Sequence, residues 1–183
     1  MSTLTGRDQT ALLVVDVQND VVGQAWQRDE VIGRIAGLVD SARAAEVPVV
    51  WVQHHDDYLA VGSQGWNFVD ALVPLEGEPR IDKTYGDSFA ETDLESVLGG
   101  LDVSHVVLCG AQSDFCITAT LYGAIHRGYD VTLVADGHTT DDTEFEGVAL
   151  SAEVMAAYLV RGATDASLPG IALTATPAAS IAW

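Results

Sequence analysis

Short runs rich in β-branched residues alternate along this chain with stretches whose apolar positions recur every three to four residues. The runs TALLVVD (10–16), VPVVWVQ (47–53), HVVLCG (105–110) and DVTLVAD (130–136) are continuously apolar, the pattern of strands buried on both faces. RIDKT (80–84) reads as a short strand and IALTA (171–175) as a last one. Between them the helical period predicts four helices. The first covers 29–45, with Val31, Ile35, Leu38, Val39 and Ala42 on one stripe interrupted by Gly33 and Gly37. The second lies in SFAETDLESVLGG (88–100), closed by glycines. The third covers 113–127, stopped by Gly128, and the fourth covers 146–161, carrying Leu150, Val154, Ala157 and Tyr158. Residues 54–79 read as loop. Strands alternating with helices predict a three-layer α/β fold: a mostly parallel sheet of about six strands with helices on both faces, formed by a single domain over residues 1–183.

Composition narrows the partners. The 183 residues carry 27 acidic and 8 basic side chains, a formal charge of −19. Such a surface repels nucleic acid and anionic membranes, so neither is expected as a partner, whereas a cationic small molecule would be attracted. Dispersed acidity serving solubility is the alternative reading. No apolar run reaches the length of a membrane span, and the N-terminus lacks the pattern of a signal peptide. With only two cysteines, close together, a disulfide framework is not expected, and a reducing, cytoplasmic setting is. Seven of the eight basic residues are arginine, which leaves Lys83 as the chain's one lysine. An ammonium is not interchangeable with a guanidinium in a tight site.

Ligands of open α/β sheets bind outside the carboxyl ends of the strands. That rule selects Asp16, the region after VVWVQ, Lys83, and the loop 110–116. Cys109 lies inside an apolar strand and reads as a small buried hydrophobe. Cys116 lies one turn into the third helix. With Ser113 as N-cap it occupies N3, where backbone N–H groups and a nearby cation would depress its pKa. Inert packing is the other reading of this sulfur. The sequence holds no G-x-G-x-x-G, no G-x-x-x-x-G-K-[ST] and no G-x-S-x-G. HHDD (54–57) contains metal-capable groups, but adjacent positions point different ways and no closed ligand set follows.

Three separated segments, LLVVDVQND, IDKTYGDSF and GAQSDFCITATLYGAIHRGYDVTLVADGHTT, resemble the isochorismatase-like cysteine hydrolase superfamily in content and order, over roughly residues 10–160. The resemblance implies a Rossmann-like sheet and a catalytic triad of Asp16, Lys83 and Cys116. It further implies a cis peptide at Ala111–Gln112, with an oxyanion hole made by the N–H groups of Gln112 and Cys116. The presence of Cys116 favours hydrolysis of an amide, lactam or carbamoyl C–N bond. An ether hydrolase and a catalytically silent binding or assembly subunit are the alternatives. The Asp-x-His metal motif of nicotinamidases is displaced here, with His54 and Asp56 in exchanged places, so no metal and no cofactor is expected. The chain thus resembles the metal-free amidases of the group, among them streptothricin hydrolases, whose lactam substrate is polycationic. His54, Trp66 and Phe89 are the candidate substrate contacts. A homodimer or larger homo-oligomer is expected of such a domain.

Overall fold

The computed structural model describes residues 2–183. Six strands form one wholly parallel sheet: β1 (Gln9–Val15), β2 (Val49–His54), β3 (Arg80–Lys83), β4 (Val103–Ala111), β5 (Asp130–Thr139) and, last in the chain, β8 (Leu173–Thr176), in the spatial order β3-β2-β1-β4-β5-β8. The strand order reverses between β1 and β4, the place where a doubly wound sheet opens a crevice at its carboxyl edge. The apolar runs become strands because they are covered on both sides. Leu12 and Val14 of β1 face one core with Trp51 of β2 and helix α1 (Arg28–Ala44). Leu13 and Val15 face the other, with helices α2 (Leu94–Gly100), α3 (Thr118–His126) and α4 (Ala152–Asp165). No helix among the described residues is long and apolar enough to cross a membrane.

Three elements depart from the sequence reading. Only Leu94–Gly100 of the second predicted helix is helical. The residues before it are held in turns, with Thr92 Oγ1 donating to the Ser88 carbonyl (2.6 Å) and the Ser88 N–H donating to Thr120 Oγ1 (3.1 Å). The third helix opens with a five-residue π turn, Ser113–Ile117, and becomes α-helical only at Thr118. Residues 146–150, predicted to begin the fourth helix, instead form the turn and second strand of a two-stranded antiparallel hairpin, β6 (Thr143–Phe145) and β7 (Val148–Leu150). α4 starts after it, at an N-cap where Ser151 Oγ accepts from the Val154 N–H, while Asp142 Oδ1 accepts the Ala152 N–H at 2.8 Å.

The stripe on α4 is also reversed. Its buried residues are Ala152, Ala156, Leu159 and Ala163, whereas Val154 is 64% and Tyr158 75% exposed. Small side chains let the helix approach the sheet closely, so the alanine face is the inner one.

Candidate active site

The carboxyl ends of four adjacent strands converge. Asp16 follows β1, His54 ends β2, Lys83 ends β3 beside it in register, and Gln112 and Cys116 follow β4. Asp16 and Cys116 therefore flank the point where the strand order reverses. One glycine makes this approach possible. At Gly110 (φ 127°) an added Cβ would lie 2.0 Å from the Val15 carbonyl oxygen, so only glycine lets the end of β4 close against the end of β1. Asp16 itself takes a left-handed conformation (φ 53°), open to aspartate at modest cost, and its N–H donates to the Val52 carbonyl at 2.9 Å.

Lys83 is the hub. Its Nζ lies 2.6 Å from Asp16 Oδ2, with both side chains almost wholly buried. The same Nζ donates to Cys116 Sγ at 3.1 Å and to the Tyr85 carbonyl at 3.2 Å, and lies 3.4 Å from His54 Nδ1. Because an ammonium only donates, Nδ1 is the acceptor; this leaves Nε2–H to face Asp56 Oδ2 at 3.4 Å. The lysine–aspartate contact lacks hydrogen-bond angles, so both Asp16 oxygens are buried without a hydrogen bond. Burial raises the Asp16 pKa above the ordinary carboxylate range, and the neighbouring Lys83 charge only partly opposes it.

Cys116 differs from the sequence reading. Burial, together with the Asp16 carboxylate, pushes its thiol up to about 11, and Lys83 offsets only part of this. The expectation of a depressed pKa is therefore corrected: the resting group is a thiol, since the desolvation of a thiolate here exceeds what one ammonium restores. Ser113 is not a cap either. It is buried, and its Oγ pairs with His138 Nδ1 at 2.8 Å. Cys109 is sealed in β4, with burial pushing its thiol far up.

A cavity of about 340 Å³ opens beside these groups, lined by Asp16, Val21, His54, Gly86, Gln112, Phe115 and Cys116. His54 thus reaches the pocket. Phe89 does not: it is 6% exposed and packs in the core against the Tyr129 ring (5.8 Å between centroids), with the Arg127 guanidinium over its face. An apolar ring with core partners on one side and a cation on the other has nothing left to offer a ligand. Trp66 is not among the lining residues; its carbonyl accepts from Gln18 Nε2 (2.8 Å) and Gln53 Nε2 (3.1 Å). Gln18 is fully buried and also exchanges two hydrogen bonds with the His54 backbone, which ties the loop after β2 to the end of β1.

The Ala111–Gln112 peptide is cis. The Gln112 side chain donates to Asp141 Oδ2 (3.0 Å) and to the Val21 carbonyl (3.4 Å), closing one wall. Val21, Gly86 and Phe115 were not legible as pocket residues, because an apolar side chain in a loop carries no pattern that separates lining from core. Asp56 spends Oδ1 on the N–H groups of Tyr58 and Leu59 (2.8 and 2.7 Å), a turn-forming role that accounts for its carboxylate. A larger cavity, about 530 Å³, lies at the other end of the sheet around Arg7, Thr10, His105 and Thr132, with no cysteine in its lining.

Comparison with known proteins agrees with this fold. The Isochorismatase domain profile matches residues 10–164. A streptothricin hydrolase of Streptomyces noursei is 36% identical over 146 residues, 74% of this chain and 56% of that protein. A ureidoacrylate amidohydrolase, RutB, of Methylobacterium radiotolerans is 30% identical over 169 residues, 69% of this chain and 66% of that one. The chain therefore spans about half the length of the streptothricin hydrolases it matches. Among solved structures, an isochorismatase of Pseudomonas putida superposes with a TM-score of 0.85 at 26% identity, covering 95% of this chain and 90% of that one.

Proposed function

The chain belongs to the isochorismatase family, and we propose that within it the protein is a cysteine amidohydrolase, cleaving a non-peptide C–N bond of a small molecule through a thioester on Cys116. The observation that carries this reading is the position of Lys83 Nζ, 2.6 Å from Asp16 and 3.1 Å from Cys116, beside a cavity of small-molecule size. The names of the relatives, a streptothricin hydrolase and a ureidoacrylate amidohydrolase, point to the same chemistry. An amide, lactam or carbamoyl substrate is inferred, a cationic one being favoured by the charge of −19.

The chemistry follows from the proton positions. In the empty site the proton sits on sulfur and Asp16 is the base, its basicity raised by burial. As Sγ attacks the amide carbonyl, the new C–S bond forms while the thiol proton passes to Asp16. Thiolate therefore never has to accumulate. Lys83 stabilises the sulfur charge developing during transfer and holds Asp16 ionised beforehand. The tetrahedral oxyanion is received by the N–H groups of Gln112 and Cys116; one such donor is worth roughly 2.7–4 kcal/mol elsewhere. When the C–N bond breaks, Asp16 returns its proton to the leaving nitrogen. Water then attacks the thioester, giving its proton to Asp16, and the acid leaves as Sγ recovers that proton. His54, at the pocket wall and hydrogen-bonded to Lys83, positions the substrate.

The test is a panel of primary amides, carbamoyl compounds and lactams offered to wild type and to Cys116→Ala, with and without a chelator. Wild type turns over a member of the panel, chelator changes nothing, and rapid quenching gives a mass increase on the Cys116 peptide. Turnover surviving in Cys116→Ala would reject covalent catalysis.

A further inference from the structure

Gly86 lines the reaction pocket, yet nothing in the backbone requires a glycine there. Unlike Gly110, it does not adopt the left-handed region. A Cβ placed on it meets one neighbouring atom, the Ala119 Cβ at 3.5 Å, which is ordinary van der Waals contact. At Gly123, by contrast, a Cβ would lie 2.3 Å from Asp87 Oδ1. A glycine where a side chain is free to stand costs the folding chain conformational entropy and gives back no contact. What Gly86 leaves is space, and that space adjoins the pocket.

The backbone on either side of it is fastened. The Tyr85 carbonyl accepts from Lys83 Nζ at 3.2 Å. The Asp87 carboxylate accepts from the Phe89 N–H at 2.9 Å and from the Arg127 guanidinium at 3.4 Å, and the Ser88 and Thr120 hydroxyls pair at 2.7 Å. The segment therefore cannot retreat from a side chain added at 86. Ala119, which it touches, lies three residues beyond Cys116 in the first turn of α3. A glycine and an alanine thus meet next to the sulfur. Across the pocket stand Val21 and Phe115. The Gln112 carbonyl accepts both the Phe115 and the Ile117 N–H (3.1 Å each), which makes the turn wide, and the Phe115 ring stands 67% exposed at the pocket.

We propose that Gly86 is the specificity-determining residue of this pocket, holding open the room beside Cys116 for a ring-sized group of the substrate that packs against Phe115 and Val21. At about 340 Å³ the cavity is near the small end of ligand pockets, ~300–1,000 Å³, so one side chain decides what enters. An open aromatic face is suited to a flat partner. The class selected is an amide, lactam or carbamoyl compound with a cyclic group next to the scissile carbonyl. As a statement about substrate this rests on the function proposed above; the room beside the sulfur does not.

The experiment compares two alkylating reagents that share one reactive carbon, iodoacetamide and its N-phenyl derivative. The full chain is used as wild type, Gly86→Ala and Gly86→Val, with Gly37→Ala in α1 as control, since a Cβ there has nothing within 4 Å. Rates are read from the mass of the Cys116 peptide and divided by the rate of each reagent with N-acetylcysteine. Wild type takes both reagents at comparable relative rates. Gly86→Val slows the phenyl reagent by ~10-fold or more while leaving iodoacetamide within ~3-fold, in keeping with the worth of a few carbon atoms in a tight pocket. Gly86→Ala shows the same preference more weakly, with a urea midpoint equal to or above wild type, and carries the test even if the valine variant does not fold. The control changes neither rate. A wild type that refuses the phenyl reagent, variants that slow both reagents equally or neither, or a lowered midpoint in Gly86→Ala overturns the proposal. Alkylation needs no amide and no turnover, so its failure is separable from that of the catalytic reading.

Discussion

The strand-end site and the hairpin–α4 face invert each other's chemistry. At the first, charges are buried: Asp16 and Lys83 are 1% exposed. At the second, apolar groups are exposed, from Phe145 to Tyr158. The two arrangements weigh differently on the stability of an isolated chain. A buried charge is expensive when its partner is lost, because nothing else can solvate it. An exposed ring is nearly neutral to the monomer, because the unfolded chain exposes it too. Substitutions at the site should therefore be large in both function and stability, and substitutions at the face small in both.

The sharpest break is Asp16→Asn. Removing the base lowers kcat by ~10²–10⁴-fold, the usual worth of a positioned proton acceptor. The same change removes a carboxylate that raises the Cys116 pKa, so thiol alkylation becomes easier while hydrolysis is lost. Rates of iodoacetamide alkylation of Cys116 against pH, read by mass, measure this: wild type climbs toward about 11, and the variant titrates at lower pH. Loss of both activities together would contradict the assignment of Asp16 as base.

Lys83→Met comes next. It leaves the Asp16 carboxylate buried without its cation, at a cost of ~3–5 kcal/mol. Urea unfolding reads the loss as a lower midpoint. An unchanged midpoint would mean that the pair is balanced by desolvation and holds nothing together.

His138 extends the contrast into pH. Burial lowers its pKa to about 4 from 6.5. Between those values the unfolded chain takes up a proton that the folded chain refuses. Its contribution is therefore complete above pH 6.5 and is lost as pH falls toward about 4, reaching about 3 kcal/mol of destabilisation. Melting curves of wild type and His138→Asn across this window should converge toward the acid end, the variant lacking that part of the slope. Parallel curves would show that the imidazole is solvated.

The smallest effect belongs to the other region. Val154→Glu changes the unfolding free energy of the monomer by no more than ~0.5 kcal/mol, measured in dilute solution where association is absent. A larger loss would mean that Val154 packs against its own chain.

Much of the fold was legible because it rests on continuity. Strands buried on both faces need no alternation, and the runs around Leu13, Val50, Val107 and Leu133 read as strands and are strands. Asp16, Lys83 and Cys116 could be picked out because each ends or follows a strand, and because lysine and cysteine are rare in this chain. The thiol's environment could not, since desolvation depends on everything packed above it. Phe89 misled because a ring carries the same signature in a core as at a pocket wall. The fourth helix misled more deeply. Leu150, Val154, Ala157 and Tyr158 share one helical face, as an inward stripe would, yet the inner face is Ala152, Ala156, Leu159 and Ala163. Period tells which residues share a side; it does not tell which side meets the sheet and which meets water.

Residues 17–20 run against 65–69 through main-chain contacts: Asn19 N–H to the Asn67 carbonyl, Asp20 N–H to Gly65 and Val69 N–H to Val17, with the Gln18 amide gripping the Trp66 carbonyl. Fastenings of this kind are indifferent to what side chains the intervening stretch carries. Tyr58 and Val61, open to water between the anchors, can be exchanged without loosening the frame. The segment behaves as a replaceable panel on a fixed mount, so its exposed side chains can change while the proton-handling groups keep their places.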